Sequence, residues 1–117
     1  MLSTIKVDTT TRLRFRLKTD GTATTLIAST GDLSENLWVH VAAVYDGSAM
    51  RLYLNGVEVG SSSKSGLITT DSSVPVWIGG SPSGATDRPW DGRIADVRIY
   101  ERALTAEEIQ QLIPAEN

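Results

Sequence analysis

Leu37–Gly56, LWVHVAAVYDGSAMRLYLNG, decides the fold. Trp38–Tyr45 is apolar and β-branched with no proline, which suits a pleated, buried surface. Asp46-Gly47 makes a turn, because glycine accepts positive φ without steric cost and aspartate bonds back to its own backbone. Met50–Leu54 resumes the alternation. Asn55-Gly56 is a second, stronger turn dipeptide, and Val57 and Val59 follow it. A meander of this kind implies an all-β chain.

Outward from this hairpin the same period recurs. Arg12, Arg14, Arg16 and Lys18 alternate with Leu13, Phe15 and Leu17, so Arg12–Lys18 is expected to be a strand with one wet face. Leu2–Val7 precedes it, Asp20-Gly21 turns, and Thr24–Ser29 pairs back. Leu67–Thr70, Val74–Gly79 and Arg93–Tyr100 are expected as further strands. Ser61–Gly66 is expected as a serine-rich loop, with a strand over Val57–Ser62 as the alternative, and Gly80–Asp91 as a turn-rich loop. One helix is expected over Thr105–Leu112, opened by a capping box between Thr105 and Glu108 and ended at Pro114.

Composition narrows the function. A chain of 117 residues fits one domain, 1–117, with a modest core. Net charge is −3, which argues against a general nucleic-acid binder. Cysteine is absent, so disulfides and thiolate metal sites are excluded. No apolar run approaches a membrane span, and Met1–Lys6 lacks the apolar segment of a signal peptide. The chain is therefore either intracellular or a piece of a longer secreted protein.

The blocks Trp38–Ala42, Tyr45-Asp46-Gly47, Leu52–Gly56, Ile78-Gly79-Gly80, Gly92–Tyr100, Arg102–Thr105 and Glu107-Glu108-Ile109 together resemble the laminin-G-like, concanavalin A-like lectin/glucanase (jelly-roll) superfamily. The resemblance covers about Leu37–Leu112. It implies an antiparallel two-sheet β-sandwich of jelly-roll type with one short C-terminal helix. It also implies a non-catalytic module that binds a glycan or protein partner, in a secreted or cell-surface setting. By resemblance the chain opens part-way into such a domain, and a second copy is expected to cover the exposed edges as a homodimer.

Four candidate sites follow. Glucanases of this general fold place two or three carboxylates close together on one strand, and no such cluster occurs here. His40 is isolated and fits a structural role, so no enzyme activity is expected. Asp71, Asp87 and Asp91 are the candidate calcium ligands that the resemblance implies, set against plain turn aspartates. Arg12, Arg14 and Arg16, with Lys18, could grip sulfated or carboxylated glycans through their guanidinium groups, or form a solvated face that discourages edge pairing. In the loop Ser81–Asp91, Trp90 with Asp87, Arg88 and Asp91 fits a sugar platform or an anchor for the loop. Tyr53, Trp77 and Tyr100 are expected opposite Leu52, Ile78 and Ile99, as a flat platform or, in preference, as an aromatic cluster beneath the helix.

Overall fold

The computed structural model describes residues 1–73, 76, 78, 79 and 92–113. The chain forms two compact units, Met1–Thr69 with Glu101–Asn117, and Thr70–Tyr100. The first unit holds two antiparallel three-stranded sheets and the helix. One sheet is β1 (Leu2–Val7), β2 (Thr10–Thr19) and β3 (Thr22–Ile27), in that order. The other is β4 (Val41–Tyr45), β5 (Ala49–Leu54) and β6 (Val57–Ser63). The helix α1 spans Ala106–Leu112.

Sequence alternation translates directly into the core. Leu13 and Phe15 of β2, Leu26 of β3 with Ala28 beyond it, Met50 and Leu52 of β5, and Val59 of β6 form one buried cluster between the two sheets. Tight turns set the registers. Asp20 and Gly21 adopt φ 45 and 80, joining Thr19 to its partner Thr22. Asn55 and Gly56 adopt φ 50 and 80, joining Leu54 to Val57. Two successive positive φ values match the two-residue hairpin turn whose twist suits the flanking strands.

A bulge breaks the β5–β6 register between Leu52 and Tyr53: Leu52 pairs with Gly60, and Tyr53 with Glu58. Val59 is the extra residue, and its side chain joins the core. Its carbonyl accepts the Ser29 amide at 2.9 Å, a hydrogen bond from one sheet's exit to the other's bulge. Gly60 suits this close approach: an added Cβ would lie 3.1 Å from the Ala28 Cα, tighter than ordinary contact.

The far end of the first sheet is tied to the segment after β6. Thr19, buried, donates its hydroxyl to the Ser65 carbonyl at 2.8 Å. The Asp20 amide bonds the Leu67 carbonyl at 3.0 Å, and the Thr69 amide bonds the Lys18 carbonyl at 2.9 Å. The Tyr45 hydroxyl donates to the Gly66 carbonyl. The strand expected over Leu67–Thr70 is reduced to a single bridge between Thr19 and Ile68. Of the two readings of the serine-rich segment, the strand holds: β6 runs on through Ser61–Ser63.

Three other expectations are corrected. The strand expected from Trp38 begins only at Val41, and Trp38 is 66% exposed. Its partner strand runs out: Val41 pairs with Leu54, and the next residue, Asn55, is already in the turn. Asn55 closes the ladder by accepting the His40 amide at 2.9 Å and donating its own amide to the His40 carbonyl at 2.7 Å. In the second unit, Arg93–Tyr100 forms no strand. Asp96 sits at φ 55, outside the β region, and Arg98 reaches back to it at 2.9 Å. Ile99, expected inside, is 79% exposed, and Ile78 is also exposed. Val76, Ile78 and Gly79 carry no strand, and Val74, Pro75 and Trp77 lie outside the described residues.

The helix follows its sequence signals. Thr105 Oγ1 accepts the Glu108 amide at 3.2 Å, and Glu108 Oε1 accepts the Thr105 amide at 2.9 Å. Arg102 adds a two-pronged pair to the Glu108 carboxylate, at 2.8 and 2.5 Å. Ile109 is fully buried. Pro114 lies beyond the described residues.

Two outcomes test this packing. Leu52→Ala should lower unfolding stability by about 2–5 kcal/mol, read as a shift of the urea midpoint with little change in slope. The Arg102 hydrogen bond, and then the Thr105 amide, hold the Glu108 carboxyl down to about 2 from its ordinary 4.5. Its stabilising contribution is therefore complete above pH 4.5 and is lost as pH falls towards 2. Glu108→Gln should flatten the fall in melting temperature across that acid window while keeping the capping box.

Candidate functional site

Strand β5 is covered on both faces, and its outer face lines the candidate site. Met50 and Leu52 point to the sandwich core, so Arg51 and Tyr53 project from the opposite side of β5. Val44 and Ala42 of β4 lie opposite them, paired with Arg51 and Tyr53 respectively. Ile109 of α1 packs on Val44 and Tyr53, with Ala103, Leu104 and Ala106 around them. The helix approach and the strand pair leave a groove of about 370 Å³. Val44, Tyr53, Ala103, Leu104 and Ala106 supply its apolar wall, and Asp46, Arg51 and Thr105 its polar groups.

The polar groups are fixed by hydrogen bonds within the protein. Asp46 Oδ1 accepts the Ser48 amide at 2.9 Å, the Ala49 amide at 2.8 Å and the Ser48 hydroxyl at 3.0 Å. Oδ2 accepts Arg51 Nη1 at 2.7 Å. Arg51 Nε lies 3.4 Å from Glu58 Oε1 on the neighbouring strand. The Arg51 hydrogen bond, followed by the Ser48 and Ala49 amides, holds the Asp46 carboxyl far below the usual carboxylate range. The same pairing raises the Arg51 guanidinium. Burial, then the nearby Glu58 charge, push the Tyr53 hydroxyl above the ordinary tyrosine range, partly offset by Arg51.

The residues singled out from sequence fall elsewhere. Asp87, Arg88, Trp90 and Asp91 lie outside the described residues. Asp71 accepts the Ser73 amide at 3.0 Å and its hydroxyl at 2.6 Å, as a turn aspartate does. Among the described residues no three acidic or histidine side chains converge to hold a metal. Arg12 is engaged by Asp32 at 2.6 Å and by the Ser29 carbonyl at 2.6 Å. Arg14 Nε donates to Ser3 Oγ at 3.1 Å, while Arg16 and Lys18 are exposed. His40 is held by its backbone bonds to Asn55, with a buried Nδ1 that makes no hydrogen bond among the described residues. Of the aromatic set, Tyr53 does lie beneath the helix, Tyr100 is exposed, and Trp77 is not described.

Sequence reasoning missed Asp46, Arg51 and Thr105 as one site. Asp46 and Arg51 carried a signal, since one closes the hairpin turn and the other shares a strand face with Tyr53. Nothing local connects them to Ala103–Ala106, some fifty residues on.

Comparison with known proteins places the chain in a family. A laminin-G family model, described as Concanavalin A-like lectin/glucanases superfamily, matches residues 3–110. The chain belongs to this family. Membership supports a non-catalytic binding module; domains of the family bind glycans or proteins and are generally not enzymes. The laminin-G-like chain is 34% identical over 103 residues to pappalysin-1 of Mus musculus, a match covering 84% of this chain and 6% of that protein. It also resembles the 2.1 Å crystal structure of residues 221–444 of an S-layer domain-containing protein from Clostridium thermocellum, with a TM-score of 0.61 and 26% identity. That likeness covers 95% of this chain and 62% of the solved one. The chain thus spans a small part of the mouse relative and under two thirds of the bacterial structure. No helix among the described residues is long and apolar enough to cross a membrane.

The groove's electrostatics give an alkaline prediction. Because the Tyr53 hydroxyl is raised, its share of stability is complete below the ordinary tyrosine value of 10 and is lost as pH rises past it. Ultraviolet titration should show one late phenolate transition that Tyr53→Phe removes, and the variant's melting temperature should fall less steeply above pH 10.

Proposed function

We propose that this laminin-G-like module, taken as one recognition domain over 1–117, binds carbohydrate without catalysis, and that the groove between β4–β5 and Ala103–Ala106 is a binding site. The observation that carries the reading is the fixed Asp46–Arg51 pair beside an apolar wall. Asp46 Oδ2, which accepts a single hydrogen bond from Arg51, keeps a lone pair for a sugar hydroxyl, and the Arg51 guanidinium has N–H groups beyond those facing Asp46 and Glu58 to donate. Holding both in place beforehand spares the ordering entropy that binding otherwise costs. The volume of about 370 Å³ suits a saccharide unit.

The same chemistry speaks for recognition over hydrolysis at this groove. A glycosidase needs one carboxyl that keeps its proton near neutral pH. Asp46 is held ionised and its oxygens already accept four hydrogen bonds. A secreted or cell-surface setting belongs to this reading, supported by the S-layer name of the bacterial relative. So does self-association: β1 and β4 each pair on one side alone among the described residues, which leaves backbone edges for a second copy. Two copies would strengthen a weak single site.

A glycan array run with the native chain and with Arg51→Gln checks the proposal, with light scattering on the same samples to read the oligomer. Specific neutral-glycan hits should fall roughly tenfold or more in the variant, as expected for loss of a charge-assisted donor. A silent array together with saturable binding to a purified protein ligand would overturn the carbohydrate reading.

A further inference from the structure

The first sheet segregates charge in a way the groove does not use. Its three strands contain Lys6, Arg12, Arg14, Arg16 and Lys18 and no acidic residue, in a chain whose net charge is −3. Four of these cations share the outer face of β2, opposite the buried Leu13 and Phe15. Asp32 neutralises Arg12 at one end of the row. Arg14, Arg16 and Lys18 have no carboxylate partner among the described residues. Their cross-strand neighbours on β3 are Ile27, Thr25 and Ala23. Ser3, opposite Arg14 on β1, takes its Nε, and neither Nη group has an acceptor among the described residues.

Edge protection does not account for this row. Charged residues discourage pairing when they lie on an edge strand, but β2 is the central strand, paired on both sides. Like charges along one strand face repel, and the neighbouring strands offer nothing to offset it. Alternate residues of a strand stand about 7 Å apart. That is less than the Debye length of about 8 Å at physiological ionic strength, so the three cations act on a ligand jointly.

We infer that the outer face of β2 is a second binding surface, in which Arg14, Arg16 and Lys18 grip a linear anionic polysaccharide bearing sulfate or carboxylate groups. The inference rests on the carbohydrate reading for the kind of ligand, and extends it to a separate surface. A guanidinium matches the oxygen spacing of sulfate and carboxylate with paired hydrogen bonds. A straight row of cations fits an extended polyanion better than a compact anion. Nucleic acid is a poorer match: the strands flanking the row carry Ser3, Ile5, Thr25 and Ile27, and no aromatic ring on which bases could stack.

The test uses a heparin octasaccharide for sulfate and an oligogalacturonate of equal length for carboxylate, with oligothymidylate and anionic lipid vesicles as other polyanions. Binding is measured by calorimetry at low and at physiological salt. The native chain should bind at least one of the two saccharides, in preference to oligothymidylate and vesicles, and the affinity should fall as salt rises. R14Q/R16Q/K18Q should weaken this binding roughly tenfold or more while the melting temperature stays the same or rises, as relief of the like-charge repulsion requires. Arg16→Gln alone, at an exposed site, gives the same direction if the triple variant folds poorly. Which saccharide responds separates the sulfated from the carboxylated source. Arg51→Gln should leave this binding intact while reducing neutral-glycan hits, so failure of one surface is distinguishable from failure of the other. Equal binding by native chain and Arg16→Gln, no binding of either saccharide, or equal or tighter binding of oligothymidylate or vesicles would overturn the inference.

Discussion

Burial of β5 on both faces is the constraint on which the rest of the first unit depends. Met50 and Leu52 are fully buried on one side, and Tyr53 is nearly so on the other. A strand with two apolar faces must be covered twice. The first sheet covers one face through Leu13, Phe15 and Leu26, and α1 covers the other through Ile109. The groove exists because the second cover is partial. A seven-residue helix and the segment leading to it shield Tyr53 and Val44 but leave Arg51 and Asp46 reachable.

The bulge at Val59 links this arrangement to the sheet opposite. By inserting one residue it sends Val59 inward and leaves Glu58 beside Tyr53 and Arg51. Its carbonyl, released from the ladder, accepts the Ser29 amide of the other sheet's exit. One irregularity thus fixes the closeness of the two layers at Gly60 and Ala28, and places a second carboxylate against the Arg51 guanidinium. The charge placed on the two sheets differs as sharply as their packing. The second sheet's strands pair Arg51 with Glu58, whereas the first sheet's strands hold cations alone.

Much of this was legible in the sequence where the signal was local. Alternation in Arg12–Lys18 correctly separated Leu13 and Phe15 from the arginines. The dipeptides Asp20-Gly21 and Asn55-Gly56 marked turns that adopt the expected positive φ. Thr105 and Glu108 marked the helix start. The same rule failed for Trp38 and for Arg93–Tyr100. Both are strand-like in composition, and a strand needs a partner as well as a pattern. Trp38 has none because β5 ends at the Asn55 turn, and Asp96 takes its backbone out of the β region.

The sequence by itself determined the class of fold, the hairpin turns, the helix and the family to which the chain belongs. These depend on side-chain period and turn chemistry within a few residues. Only the tertiary structure decided which side of β5 would carry a groove, that Asp46 and Arg51 would meet Ala103–Ala106 there, and that the arginine row would occupy a central strand. Those are contacts between segments far apart in the chain. They are set by which apolar faces must be covered, and no local pattern encodes the partner that covers them.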